Sequence, residues 1–366
     1  MTEKDVDNLN ILIDFFNSEG IEFTNKVLTI TFPNGYSVEE PTFYLKNGDH
    51  EIEVRYINSL DHKIDYEKRF NIKGIPADYF GKISKEYFDA GKRIFWIKDY
   101  EITECEDVKQ LDGTVLKDYH RKWEVIKSYL RFGMGKIPFR IYARDCEVKE
   151  VPANGPKNEA TPFLKTNTFY GNRAATITLG LYLKKDKCGF SKGTLMMLES
   201  FGLCFYGNNF KKSGNPDVEV IRLGTKLNCQ VIGGSSKLLK HFLENYPTMT
   251  KKTTGETFDV EDITYYVDFD HSNCLSLQKL GFDFVRHDKV GFHNYAVKDI
   301  DIPKLKVKVG EIFQRKPMIH KEIMRLMNEG SIVSIGNAGT MVYKINRKNY
   351  LEKLKSGKIY WQTLIN

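Results

Sequence analysis

The 366-residue chain lacks any apolar run long enough to cross a bilayer, and it lacks a closely spaced pair of cysteines. A spanning helix needs about 20 consecutive apolar residues, so we expect no membrane span. The six cysteines include no C-x-x-C pair, which argues against a zinc site and against a disulfide framework. The first residues, MTEKDVDNLN, are polar and acidic, so the sequence predicts no signal peptide and a soluble intracellular protein.

The composition is that of a globular protein with enough apolar residues for two or three cores. Hydrophobic residues make up 41% of the chain, charged residues 28% and aromatic residues 13%. The net charge of +7 permits a polyanionic partner such as a nucleic acid but does not require one. Composition therefore leaves both enzymes and binding proteins open.

The first 140 residues carry the alternating pattern of an α/β domain. Apolar spacing predicts helices at 8–16, 77–90 and 119–130, and an apolar strand at 93–102. Asn47-Gly48 lies between two strand-like runs and predicts a hairpin over 42–57.

Three carboxylates in this domain are candidate catalytic residues. Glu51 and Glu53 fall on one face of a predicted strand, because side chains alternate with period two. Asp99 and Glu101 close the next apolar strand. Magnesium-dependent nucleases hold the cation with two or three carboxylates on adjacent strands, so Glu51, Glu53 and Asp99 are predicted as catalytic, with Glu53 and Asp99 as metal ligands. The alternative is that these side chains are solvated and face outward.

A second candidate site is the turn between an apolar strand and a helix at Gly233-Gly234. Gln230, Gly233 and Ser235 fit a Q-x-x-G-x-small pattern, which is similar to the pyrophosphate loop of GNAT acyltransferases. In that loop the backbone amides hold acyl-coenzyme A, because a helix N-terminus favours phosphate. Gln230, Gly233, Gly234 and Ser235 are therefore predicted to bind a cofactor, and Ser235 or Ser236 to cap the helix. The alternative is a tight strand-to-helix turn that serves packing.

Longer segments extend the resemblance to one family. The runs TFYLKNGDHEIEV, IYARDCEVKEV and VIGGSSKLLKHF resemble phage Hef-like homing endonucleases, and the match covers most of the chain. The resemblance implies a PD-(D/E)XK domain, related to very-short-patch-repair nucleases, at residues 1–140. It implies a GNAT-like domain similar to Mom-type DNA-modification proteins at 141–300. A small α+β segment is expected at 301–366.

The chain departs from the family at reactive positions. Thr42 stands where the family has a metal-binding Asp, and Phe80 where it has a His. Thr168 replaces another His, and Asp270 lies where the family has a basic run. Loss of these groups removes metal ligands, a general base and phosphate contacts, while the strand residues and glycines remain.

Two functional hypotheses follow from these departures. The first is a phage-encoded, catalytically inactive derivative that needs no cofactor. It binds or recruits phage or host proteins, or nucleic acid, in the cytoplasm of the infected bacterium, with the phage replication compartment as a candidate location. The second is a working enzyme, either a magnesium-dependent homing endonuclease or a Mom-like acyltransferase that uses acyl-coenzyme A.

The remaining segments carry simpler predictions. Residues 151–162 are rich in Pro, Asn and Gly and predict a linker, and the polar residues 248–262 predict a mobile surface loop. A helix at 321–329 and short strands around Ile332 and Val342 are expected in the C-terminal segment.

Overall fold

The computed structural model describes residues 2–155, 157–204, 216–272, 275–288, 291–303, 305–313 and 320–356. It is 28% helical and 41% strand with mixed sheets, which confirms the predicted α/β class. Among these described residues, no helix combines the length and apolarity needed to span a membrane.

The helices and strands are as follows, in chain order. The helices are α1 (Glu3–Ser18), α2 (Glu67–Phe70), α3 (Tyr79–Asp89), α4 (Asp99–Thr103), α5 (Arg121–Gly133), α6 (Ala160–Asn167), α7 (Gly234–Asn245), α8 (Leu275–Lys279), α9 (His320–Asn328) and α10 (Arg347–Lys355). The first eleven strands are β1 (Glu22–Thr31), β2 (Ser37–Asn47), β3 (His50–Ile57), β4 (Ile94–Lys98), β5 (Glu106–Lys109), β6 (Val115–Tyr119), β7 (Phe139–Tyr142), β8 (Cys146–Glu150), β9 (Ile177–Leu183), β10 (Leu195–Cys204) and β11 (Asp217–Thr225). The others are β12 (Cys229–Ile232), β13 (Thr248–Thr250), β14 (Thr257–Asp259), β15 (Asp262–Asp268), β16 (Asp283–Asp288), β17 (Phe292–Ala296), β18 (Ile300–Ile302), β19 (Leu305–Val307), β20 (Ile312–Phe313), β21 (Ile332–Gly336) and β22 (Thr340–Asn346).

The N-terminal sheet has the order β1-β2-β3-β4, antiparallel except for the parallel pair β3–β4. The predicted hairpin is confirmed, and Gly48 in its turn has φ 58°, a left-handed conformation that suits glycine. Ile52 and Val54 of β3 pack with α1 and α5 on one face of the sheet. Trp96 of β4 packs with Phe80 of α3 on the other face. The two faces therefore have separate cores.

The predicted strand over 93–102 ends at Lys98, so the prediction is wrong for its last residues. Asp99–Thr103 form α4 instead. The Glu101 carboxylate accepts a hydrogen bond from the Lys98 backbone N–H at 2.9 Å, which stabilises the first turn of this helix. Asp99 and Glu101 consequently do not extend from a strand.

The second sheet has seven strands in the order β16-β22-β15-β11-β10-β9-β8. Strand β22, from residues 301–366, lies between β15 and β16 and pairs with both. Strand β21 from the same segment pairs with β17. The strands of the C-terminal segment are thus shared with sheets that earlier residues build.

Two other segments differ from their predictions. Within 248–262, β13 and β14 form a short hairpin in which Met249 is buried, rather than an unstructured loop. Within the predicted linker 151–162, Ala160 already begins α6 and is buried against Phe163.

The two halves of the chain meet at the outer edge of β4. The Trp96 backbone N–H donates to the Asp270 carbonyl at 3.0 Å, so the turn after β15 continues the hydrogen bonding of the N-terminal sheet. A second contact joins the Ile64 N–H to the Ser334 carbonyl of β21 at 2.8 Å. The edge strand is covered in this way.

Candidate functional site

Glu51 and Glu53 border one open groove of about 800 Å³ on the N-terminal sheet. The Glu51 side chain is 72% exposed and pairs weakly with Lys46 at 3.6 Å. Glu53 is buried, and its Oε1 accepts from Arg55 Nε at 2.7 Å while Oε2 accepts from the Tyr87 hydroxyl. Of these two residues, only Glu53 is therefore a buried carboxylate fixed by hydrogen bonds.

Arg55 lies at the centre of a polar cluster between β2, β3 and α3, here called the Arg55 cluster (Glu40, Glu53, Arg55, His62, Tyr79). Its Nη1 donates to Glu40 Oε2 at 2.9 Å, so one guanidinium bridges two buried carboxylates. Glu40 Oε1 accepts from the Tyr79 hydroxyl at 2.7 Å and lies 3.2 Å from His62 Nε2. Every member is at least nine-tenths buried.

The charges in the Arg55 cluster stabilise one another. Burial by itself raises the pKa of Glu40, but the hydrogen bond and charge of His62, with the charge of Arg55, hold it below its usual value. Burial and the hydrogen bond to Glu53 raise the pKa of Tyr87 to about 12, so its hydroxyl stays a donor at neutral pH. Glu40 is therefore held as a carboxylate beside the Arg55 guanidinium.

Asp99 lies on the opposite face of the same sheet. Its Oδ1 accepts from the Ser59 hydroxyl and from the Ser59 N–H at 3.3 Å, and its Oδ2 accepts from Tyr295 at 3.3 Å and from Lys4 of α1 at 3.5 Å. These partners are all different from those of Glu53. The prediction that Asp99 joins Glu53 at one site is wrong, because Asp99 starts a helix on the α1 side.

The residues present do not fit a magnesium ion. The Arg55 guanidinium occupies the space between Glu40 and Glu53, where a cation would need two free carboxylates. Asp99 is beyond reach on the other face. In the part of the chain that the structure describes, no group of three His, Cys, Asp or Glu side chains has metal-binding geometry.

The sequence reasoning missed Glu40 and His62. Period two along β2 places Glu40 on the same face as Thr42, which pairs directly with Arg55, and that pattern was available to find it. Strand periodicity could not have predicted His62, because this residue follows β3 in a loop. Its ring lies 6.2 Å from that of Phe80 of α3.

A second buried network joins the two halves and is here called the Lys98 cluster (Lys98, Glu101, Asp268, Asp270, His271). Lys98 Nζ donates to Asp270 Oδ2 at 2.6 Å and lies 3.9 Å from Glu101. His271 is 3.1 Å from Asp268 through Nδ1 and 3.5 Å from Glu101 through Nε2. All members but Asp268 are at least nine-tenths buried.

The acidic residues Asp268 and Asp270 are part of this ion-paired network. Although burial lowers it, the charges of Asp268 and Glu101 raise the pKa of His271 to about 10, so the ring is cationic at neutral pH. That cation holds the pKa of Asp268 well below its usual range despite burial. Both aspartates are therefore paired with cations of this chain.

The Gly233-Gly234 turn follows β12, which pairs in parallel with β7 outside the large sheet. Gln230 lies opposite Arg140 in this pair. Gly233 has φ 76°, and a Cβ on Gly234 would lie 2.4 Å from Met197 Sδ. Glycine is required at position 234 for close packing against β10. This agrees with the alternative interpretation of the motif as a tight turn that serves packing.

The prediction that Ser235 or Ser236 caps α7 is wrong. Gly233 is the N-cap, no side chain caps the helix, and Ser235 and Ser236 lie within it. Lys237 Nζ donates to the carbonyls of Ala143 at 3.0 Å and Cys146 at 2.6 Å. The ammonium of Lys237 is therefore engaged with the backbone.

Comparisons with protein-family models find no match to the chain, and a search of curated proteins finds no significant match. The geometry of the two buried clusters and of the exposed surfaces therefore carries the functional conclusion.

Proposed function

We propose that this chain is a phage-encoded binding factor built on a homing-endonuclease scaffold, catalytically inactive, which recruits a phage or host protein in the cytoplasm of the infected bacterium. The observation that carries the proposal is the separation of Glu53 and Asp99 on opposite faces of the N-terminal sheet, each held by its own partners. Chemistry at a shared metal needs these carboxylates to converge.

The Arg55 cluster supports the proposal because it replaces a metal site by an ion-paired network. Releasing Glu53 for a cation would leave the Arg55 guanidinium buried without one of its two carboxylates, which is costly. A metal ion would have to compensate for this loss before it could bind.

The turn before α7 supports the absence of acyltransferase activity in the same way. Close packing of Gly234 on Met197 accounts for the second glycine, and Lys237 is engaged with two carbonyls. The retained motif is accounted for by packing, without acyl-coenzyme A.

A nicking assay on supercoiled DNA with magnesium tests the absence of nuclease chemistry. We expect no cleavage by the wild type, and calorimetry with magnesium or acetyl-coenzyme A at millimolar concentration should give no binding heat. Magnesium-dependent nicking that Glu53→Ala abolishes would overturn the proposal. Glu51→Ala is the matched control, since Glu51 is solvent-exposed on the same strand.

Affinity purification from infected cells tests the recruiting role. We expect a phage or host protein at near-stoichiometric yield that survives nuclease treatment and binds again when both proteins are purified. Recovery of nucleic acid alone, with no protein retained after nuclease treatment, would contradict recruitment of a protein.

A further inference from the structure

Several exposed cationic side chains lie on β7 and on the turns next to it. Arg140, Tyr142 and Arg144 follow one another at every second position and are all exposed. Arg140 and Tyr142 lie on β7, where this spacing is about 7 Å, and Arg144 lies in the single 3₁₀ turn Ala143–Asp145 that follows. The exposed positions thus form a short row with an aromatic residue between two arginines.

The turn between β9 and β10 adds more cations to this row. Lys187 pairs with Asp145, and its ammonium lies 5.7 Å from the centre of the Tyr142 ring. Lys184 donates to the Arg144 carbonyl at 2.9 Å. We call the group of Arg140, Arg144, Lys184, Lys185 and Lys187 the basic surface. Lys237, whose ammonium binds two backbone carbonyls, lies near Lys184.

The positive potential of the basic surface affects the groups within it and beside it. The hydrogen bond from Lys187, with the charges of Lys185 and Arg144, holds the pKa of Asp145 below its usual value. Burial and the charge of Lys184 lower the pKa of Lys237. The cations are therefore only partly neutralised by carboxylates of this chain.

The aromatic ring in the row is covered by cations. The Arg144 guanidinium lies 4.6 Å from the centre of the Tyr142 ring, in addition to Lys187. Phe139 at the start of β7 lies edge-on to Phe190 at 5.3 Å, and Lys226 lies over the Phe190 ring. Rings that hold cations in place fix the positions of positive charge, whereas single-stranded nucleic acid needs open ring faces for stacking.

We propose that the basic surface binds an acidic segment of a partner protein. The guanidinium groups of Arg140 and Arg144 are exposed, and guanidinium groups pair with carboxylates in a bidentate way. Tyr and Arg are common anchor residues of protein interfaces. This inference rests on the proposed recruiting function and names its surface.

Fluorescence anisotropy with a labelled peptide of alternating Glu and Thr tests this assignment, with the Gln-Thr peptide as the neutral probe. We expect the acidic peptide to bind and the neutral one not to bind. Arg140→Glu/Arg144→Glu should weaken binding about tenfold or more, and added salt should weaken it further. The control Lys353→Glu/Lys355→Glu makes the same charge change on exposed positions of α10 and should leave binding nearly unchanged.

Three outcomes would overturn the assignment. The first is that the acidic peptide fails to bind the wild type. The second is that both double variants lose affinity equally. The third is that labelled oligo(dT) binds more tightly than the peptide and that Arg140→Glu/Arg144→Glu abolishes oligo(dT) binding. Arg140→Gln/Arg144→Gln serves if the charge-reversed variant does not fold. The nicking assay measures catalysis that depends on Glu53 and does not depend on the basic surface. A peptide that fails to bind would overturn the assigned surface, whereas nicking of DNA would overturn the proposed absence of catalysis, so the two results are separate.

Discussion

The ammonium of Lys98 and the carboxylate of Asp270 form an almost fully buried ion pair, with Nζ 2.6 Å from Oδ2. Lys98 ends a strand of the N-terminal sheet, and Asp270 lies in the turn after β15. The second oxygen of Asp270 accepts from the Ala338 N–H at 2.7 Å, so one carboxylate joins three segments of the chain. The pair therefore fixes how the two halves pack.

Removing one member of this pair should be strongly destabilising. We expect Lys98→Met to lower the free energy of unfolding by about 3–5 kcal/mol, because Asp270 is left buried without a countercharge. Lys98→Met/Asp270→Asn should lose less than the sum of the single changes. Urea unfolding of the four proteins measures this, with Lys85→Met in the exposed Lys85–Asp89 pair as a control that should change little. Strict additivity of the two changes would contradict the coupling.

Arg55→Met should destabilise the N-terminal sheet for a related reason. Glu40 and Glu53 would remain buried without the guanidinium that bridges them, at a cost of about 3–5 kcal/mol. Arg55→Lys should recover only part of the loss, since a single ammonium does not reproduce the two-sided guanidinium geometry. Chemical unfolding followed by tryptophan fluorescence measures it through Trp96, whose ring lies 5.3 Å from the Arg55 guanidinium. A wild-type midpoint for Arg55→Met would disprove the bridging role.

Glu199 should make the protein less stable as the pH rises. It is buried on β10, and this burial, only partly offset by Tyr265, raises its pKa to about 8 from 4.5. The folded state thus keeps a proton that the unfolded state releases, so stability falls as pH rises from about 4.5 to 8. Glu199→Gln should remove this slope and be more stable than wild type at neutral pH, by on the order of 3 kcal/mol.

Thermal unfolding of wild type and Glu199→Gln between about pH 5 and pH 8, the range over which the pKa of Glu199 is shifted, checks this expectation. The difference between the two proteins should grow with pH. A difference that stays constant across the range would mean that Glu199 is ionised in the folded protein at every pH tested.

The two glycines before α7 should respond differently to alanine. Gly234→Ala places a Cβ against Met197 and should cost about 1–3 kcal/mol through overpacking. Gly233→Ala makes only an ordinary contact with Ala143 at 3.7 Å but has a left-handed backbone, and should cost about 1–2 kcal/mol, with Gly233→Asn milder. Differential scanning calorimetry measures these losses. An unchanged unfolding temperature for Gly234→Ala would argue against a packing role for this residue.

Local features of the fold were predictable from the sequence. Asn47-Gly48 predicted the β2–β3 hairpin, because Gly48 readily adopts the left-handed conformation of the turn, directly after Asn47 pairs with His50. The apolar spacing predicted α1, α3 and α5 correctly, with bounds that differ by a few residues. Period two along β3 correctly placed Glu51 and Glu53 on one face. Each of these depends on residues close together in the chain.

The candidate site was less predictable because its contacts are distant in sequence. Asp99 was assigned to a strand, and a single hydrogen bond from the Lys98 N–H to Glu101 turned that segment into a helix on the other face. Glu40 and His62 reach Arg55 from a neighbouring strand and a loop. Local patterns carry no information about which loop closes over a strand.

By itself, the sequence determined the α/β class, the strand alternation that puts Glu51 and Glu53 on one face, and the glycine-dependent turns, since these follow from backbone geometry and local periodicity. Only the tertiary structure decided that Glu53 and Asp99 point to different cores and that Lys98 meets Asp270, 172 residues away. The physical reason is that a buried charge is stable only beside its partner, and that partner is selected when distant segments pack together.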